Sequence, residues 1–344
     1  MENKETVCAV VVTYNRKKLL IECLDALCKQ TRSIDAIYII DNFSNDGTAE
    51  LLLENGYINK LPPENLVEPF EIEIDYDNGK FLGAFDDGIE FKEAKLDNQL
   101  KIYYVRMNEN TGGAGGFYEG VKRGYEKGYD WLWLMDDDTI PFDNANEALL
   151  SSIDIAQQQY QDKNIGFAIS KVWFNSKDIH LMNLPQLQPV INGLPFNQIE
   201  NRGILLIPAG SFVSMMISNK AINLCGLPIK EFFIWGDDIE YSSRITNKEF
   251  LGLYCRNSNV VHKTKENYSS NIYKDNIKNI WKYYYGIRNQ LLIKKRDSYL
   301  KYLVAFFKNI FLTNVQIIRK RDNNKFSYMK VNTYATISSL LMKI

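Results

Sequence analysis

Six consecutive apolar residues, Val7 to Val12, escape water only if the strand they form is covered on both faces. The polar turn Thr13-Tyr14-Asn15-Arg16 follows. Leu19, Leu20, Cys23, Leu24, Leu27 and Cys28 then recur at the steps of three and four that mark an amphipathic helix. Ala36 to Ile40 reads as a second strand ending in Asp41, with a loop from Asn42 to Gly47 and Thr48 capping a helix through Leu53. A third strand, Lys101 to Arg106, leads into the glycine-rich segment 112–116 and a helix to about Gly128; Trp131 to Met135 is a fourth strand. Strands alternating with helices predict an α/β domain with a mainly parallel sheet. Residues 54–100 read as irregular and polar, with a hairpin or extra strand pair around Phe70 to Ile74 and Phe81 to Phe85.

With 344 residues, 45% hydrophobic and 24% charged, the chain carries enough apolar material for one large domain or two ordinary ones. Its net charge of -1 argues against a nucleic-acid partner, which would call for a basic excess. The five cysteines (Cys8, Cys23, Cys28, Cys225, Cys255) show no C-x-x-C spacing, so reduced thiols in a cytosolic setting are expected. No run approaches the roughly 20 apolar residues of a spanning helix, and Val7 to Val12 is too short for a secretory signal. Charge is uneven: residues 261–344 hold 17 Lys+Arg against 4 Asp+Glu, the rest 24 against 38. Such asymmetry predicts different partners for the two parts.

In open α/β sheets ligands bind beyond the carboxyl ends of the strands. Thr13 to Asn15, Asp41 and Asp136 to Asp138 all fall there. Three adjacent carboxylates after the apolar run Trp131 to Met135 repel one another unless a cation or solvent compensates, and hard oxygen ligands suit Mg²⁺ or Mn²⁺. On extended backbone Asp136 and Asp138 share a face and Asp137 takes the other; an acidic solvated turn is the plain alternative. The segment Arg106 to Phe117 carries Gly112, Gly113, Gly115 and Gly116, and backbone N–H groups there would receive phosphate or sugar hydroxyls. It lacks the Gly-Lys-Ser/Thr of a P-loop, and a simple turn explains it equally well. Phe232 to Arg244 delivers Asp237 and Asp238 after aromatic residues, which suits either a general base or a helix start with its favourable acidic first turn. His262, one of two histidines, ends a β-like run and would close an Asp-x-Asp metal site as an imidazole ligand, shifting preference toward Mn²⁺.

Together and in this order, these residues resemble family 2 glycosyltransferases of the GT-A fold. The carriers are Val10-Val-Val-Thr13-Tyr14-Asn15-Arg16, the strand-ending Asp41, and the Asp triplet after a Trp-rich strand. Asn110-x-Gly112-Gly113-Ala-Gly-Gly-Phe117, Met135-Asp-Asp-Asp138, Trp235-Gly-Asp237-Asp238-Ile-Glu240 and Val261-His262 are similar to the galactofuranosyltransferase and rhamnosyltransferase branch. The similarity covers about residues 5–265, with a looser match at Tyr283 to Asn289; Asn108 stands where this branch has proline. The resemblance implies a GT-A catalytic domain over 1–265 and a helical basic, aromatic-rich region over 266–344. It places Thr13, Asn15, Asp41, Arg106, Asn110, Gly112, Gly113 and Asp137 at the nucleotide-sugar donor. Asp136, Asp138 and His262 would hold Mn²⁺ or Mg²⁺, Asp238 would act as base with Asp237 beside it, and Trp235 would stack on the acceptor.

The implied reaction is inverting, metal-dependent transfer, most simply of galactofuranose from UDP-galactofuranose, onto a lipid-linked or polysaccharide acceptor in bacterial cell-surface glycan synthesis. A rhamnosyltransferase using dTDP-rhamnose is the alternative, and a non-catalytic nucleotide-sugar-binding protein a third. From the residues themselves, segment 281–320 sets Trp281, Phe306, Phe307 and Phe311 among Lys294, Lys295, Lys301 and Lys308. Basic amphipathic helices of this kind lie on anionic membranes, which predicts a cytoplasmic protein peripheral to the inner face of the membrane. Packing on the catalytic domain or in a homo-oligomer would use the same surfaces.

Overall fold

The computed structural model describes residues 4–76 and 100–342. Its elements in chain order are β1 (Val7–Thr13), α1 (Lys17–Cys28), β2 (Ala36–Asp41), α2 (Thr48–Glu54), β3 (Phe70–Tyr76), β4 (Leu100–Arg106), α3 (Gly112–Glu126) and β5 (Trp131–Asp136). There follow β6 (Thr139–Pro141), α4 (Ala145–Gln159), β7 (Ile165–Trp173), the small hairpin β8 (Val190–Ile191) and β9 (Leu194–Pro195), β10 (Ile204–Ile207), β11 (Met215–Ser218) and α5 (Asn219–Cys225). The chain continues through α6 (Asp237–Thr246), β12 (Leu251–His262), α7 (Ile280–Asp297), α8 (Tyr299–Lys308), α9 (Asn314–Lys320) and α10 (Lys325–Leu341).

The main sheet runs β10-β12-β7-β11-β5-β1-β2-β4-β3, with β6 on β12. The pairs β1–β2, β1–β5, β2–β4 and β7–β12 are parallel; β11 lies antiparallel between β5 and β7. The predicted mainly parallel sheet is therefore present, with antiparallel insertions in its second half. Every residue of β1 is buried, and the run divides by parity. Val7, Ala9 and Val11 enter one core with Leu20, Leu24, Leu149 and Ile153; Cys8, Val10 and Val12 enter the other with Phe117, Val121, Tyr241 and Ile245. Thus α1 and α4 cover one face and α3 and α6 the other, as an unbroken apolar strand requires.

Of the expected pair in 54–100, Phe70 to Ile74 lies in β3, the antiparallel edge partner of β4; Phe81 to Phe85 lies outside the described residues. From Ile272 onward the sequence turns helical, basic and aromatic, yet helix begins only at Ile277. Asn276 accepts from Lys278 N at 3.0 Å, and this Asx cap starts a short 3₁₀ turn that runs into α7. α10 packs on α7 through the edge contact of Tyr283 with Tyr328 at 5.7 Å.

Candidate active site

Register brings the polar strand ends together. Thr13 pairs with Asp41, Asp41 with Arg106, and Val12 with Asp136, so the carboxyl ends of β1, β2, β4 and β5 lie side by side. β6 then turns back so that Thr139 pairs with His262 at the end of β12, which carries the imidazole to the acid triplet across the chain.

Asp136, Asp138 and His262 each aim one ligand atom into a common space, all within 4.8 Å of one another. His262 Nδ1 donates to Asn183 Oδ1 at 3.0 Å, and Asn183 Nδ2 donates to Ser211 Oγ at 2.9 Å. The other ring nitrogen, Nε2, lies 3.1 Å from Asp138 Oδ1. Asp138 Oδ1 is buried without a hydrogen-bond partner. A carboxylate oxygen and a ring nitrogen at that distance can share a proton or a divalent ion. The donor set of two carboxylates and an oriented imidazole fits Mn²⁺ or Mg²⁺.

Electrostatics separate the three aspartates. Burial, reinforced by Asp138, pushes the Asp136 carboxyl up to about 6. Burial likewise pushes Asp137 up to about 7, although Arg16 opposes it. Burial also pushes Asp138 up, but His262 and Arg16 outweigh it and hold that carboxyl below its ordinary value. Asp137 accepts from Thr13 Oγ1 at 2.7 Å and from Arg16 Nη1 at 3.2 Å, and Arg16 Nη1 also reaches Asp138 Oδ2 at 2.5 Å. Thr13 thus meets the site through Asp137. Arg16, quoted from the sequence in the turn and in the family motif but given no role, is a cation that offsets the triplet; a charge immediately after the first strand end was the available signal.

Asp41 is fully buried and accepts from Ser44 N at 2.8 Å, Tyr104 Oη at 2.7 Å and Arg106 Nη1 at 2.7 Å. Asn15, at φ 54°, accepts from Asn45 N at 2.7 Å and ties the β1 turn to the β2 loop. Asn110 Oδ1 accepts from Gly112 N at 2.9 Å and from Asn42 Nδ2 at 3.2 Å. The glycine run divides its work. Gly112 has φ +70°, and a Cβ there would lie 2.1 Å from Phe233 O, whereas a Cβ on Gly113 would meet nothing within 4 Å. The start of α3 is therefore open at Gly113.

Asp237 and Asp238 open α6, behind Gly236 at φ 94°. Burial pushes Asp238 up to about 6, with Asp136 adding to it and the Ile239 N–H, at 2.7 Å, opposing it. Burial and Asp238 raise Asp237 well above its ordinary value, and Asp136 again contributes. Asp136 thus exerts an electrostatic influence on both Asp237 and Asp238. Trp235 is half-buried, edge-on to Tyr283 at 5.2 Å and packed against Gly286. His180, the other histidine, has its ring centroid 4.5 Å from that of His262 and its Nε2 2.8 Å from Thr264 Oγ1.

Residues 8–58 match the family model for glycosyl transferase family 2. Over 268 residues the chain is 23% identical to galactofuranosyltransferase GlfT1 of Mycolicibacterium smegmatis, covering 76% of this chain and 72% of that one. Over 262 residues it is 26% identical to GlfT1 of Mycobacterium tuberculosis, covering 75% and 70%. A crystal structure of GalNAc-T7 with UDP, GalNAc and Mn²⁺ superposes with TM-score 0.55 at 15% identity, over 97% of this chain and 55% of that chain. That likeness concerns the fold, and the chain spans about half the length of that protein. Strand order, the cluster at the strand ends and these matches agree: the chain is a glycosyltransferase with a GT-A fold, similar to family 2.

Proposed function

We propose that the protein transfers galactofuranose from UDP-galactofuranose to a hydroxyl of a glycan or lipid-linked acceptor, with inversion and with a divalent ion. What supports this reading is the cluster of Asp136, Asp138 and the oriented His262, the electrostatic influence of Asp136 on Asp238, and the galactofuranosyltransferase relatives. A cation held by Asp136, Asp138 and His262 supplies Lewis-acid neutralisation of charge on a departing nucleoside diphosphate. Gly112, Gly113 and Asn110 line the donor's pyrophosphate and sugar, with Arg106, Asp41, Asn15 and Thr13 on the nucleotide side and Asp137 toward the sugar or ribose. Asp238 takes the proton of the acceptor hydroxyl as its oxygen bonds to the anomeric carbon. The bond from that carbon to the phosphate oxygen breaks, and its electron pair leaves with UDP. Attack from the face opposite UDP inverts the anomeric centre. Asp237 lies beside the base as an acceptor contact, and Trp235 stacks on an acceptor sugar.

The test is turnover of UDP-galactofuranose against dTDP-rhamnose by the full chain with Mn²⁺, with NMR of the product anomer. UDP-galactofuranose should be consumed and the product inverted. Preferential use of dTDP-rhamnose rejects the donor assignment, and a retained anomer rejects the mechanism. We also propose that the 299–320 helices rest on an anionic membrane, where a lipid-linked acceptor resides.

A further inference from the structure

The proposed base sits behind a loop that its own residues would not hold. Phe233 has φ 63° and ψ -59°, and Ile234 N donates to Phe232 O at 2.7 Å. This is a γ-turn of the hand that L-residues disfavour. Trp235 at φ 64° and Gly236 at φ 94° return to the left-handed side just before Asp237 and Asp238. Bulky residues persist there only where their surroundings fix them.

Helix α7 supplies that fixation from one face. Asn289, fully buried, shares its amide hydrogens among three carbonyls of the loop: Trp235 O at 2.8 Å, Phe232 O at 2.9 Å and Ile234 O at 3.2 Å. Arg288 turns that amide the required way, donating from Nε and Nη2 to Asn289 Oδ1 at 3.0 and 2.9 Å, and from Nη2 to Glu231 O at 2.7 Å. One turn earlier, Tyr285 stacks on Phe233 at 4.7 Å. On its far side the γ-turn meets the donor loop, where Phe233 O accepts from Ala114 N at 3.1 Å. Further along α7, Arg296 pairs with the buried Glu240 of α6.

We propose that Arg288 and Asn289 are positioning residues for glycosyl transfer: they clamp the strained 232–236 loop and so set Asp238 against the acceptor hydroxyl. The inference rests on Asp238 being the base. It makes α7 part of the catalytic apparatus, although the pair acts through the loop and not on the reacting atoms.

Asn289→Ala in the full chain, assayed with UDP-galactofuranose and Mn²⁺, tests this. A misplaced base should lower kcat about 10²-fold per folded molecule, with UDP affinity by calorimetry within about threefold of wild type. A merely structural role lowers the melting temperature and leaves kcat per folded molecule near wild type; that result overturns the proposal, as does a loss carried by UDP affinity instead of kcat. Should Asn289→Ala not fold, Arg288→Lys, which keeps the charge but loses the planar fork, should lose about 10-fold in kcat; an unchanged kcat there overturns it equally. A wild-type protein that turns over no nucleotide sugar rejects the catalytic reading itself, whereas an active wild type with an equally active variant rejects only the clamp.

Discussion

At the scale of single residues, Asp238 carries the sharpest consequence. As the proposed base it must be ionised to take a proton, and burial pushes its carboxyl up to about 6. Turnover should fall about tenfold per pH unit below that value and level off above it. For stability the same shift acts in the other direction. Below the ordinary carboxylate range folded and unfolded chains are both protonated at this site; as pH rises through about 6 the folded state alone retains the proton and then bears a buried charge, so the contribution is lost. Asp238→Asn should therefore lose about 10²–10⁴ in kcat while its melting temperature at neutral to alkaline pH rises above that of wild type. An active variant, or one less stable there, contradicts the assignment. The residue types of this site were legible because a buried acid triplet and a second acid pair are unusual after apolar runs. Their supporting groups were not. Asn183 orients His262 from 79 residues away, and Tyr104 and Ser44 hold Asp41; nothing in spacing marks such partners.

At the scale of elements, α3 shows how one motif serves two ends. Gly116, Gly120 and Gly124 recur every four residues, and a Cβ on them would come within 2.5, 2.3 and 2.7 Å of Val12, Val10 and Leu132. Gly116, the last of the glycines read from sequence as a ligand cradle, therefore joins Gly120 and Gly124 in letting the helix lie close on β1 and β5. Gly120→Ala should destabilise the fold by about 1–3 kcal/mol in denaturant titration, as overpacking does. Gly113→Ala, with open space at its Cβ, should leave stability unchanged and raise the donor KM. Equal behaviour of the two variants would deny the division. The first half of the sheet was legible because β1, β2, β4 and β5 are apolar runs buried on both faces. The second half was not: β10 and β11 are four residues long, and β12 shifts register between Cys255 and Asn259, which breaks the period a strand would show.

At the scale of the whole molecule, the charge asymmetry takes a spatial form. α7 faces the 232–236 loop, while α8 and α9 present exposed apolar residues. Leu300, Val304, Phe307 and Phe311 recur at helical steps and are 72, 63, 55 and 62% exposed, beside the exposed Lys301 and Lys308. No helix of the described residues is long and apolar enough to cross a membrane. An apolar stripe flanked by lysines suits the surface of an anionic bilayer. The full chain should float with phosphatidylglycerol vesicles at low salt and less so in Val304→Glu/Phe307→Glu; flotation equal with neutral vesicles, or none, rejects that surface. The central claim is that Asp136, Asp138 and His262 hold the ion on which sugar transfer depends. It is tested most directly by UDP release from UDP-galactofuranose after chelation and again after Mn²⁺ is restored, in wild type and in His262→Ala. The account predicts release that vanishes with chelator, returns with Mn²⁺, and fails to return in the variant; release indifferent to chelation, or fully restored in His262→Ala, would contradict it.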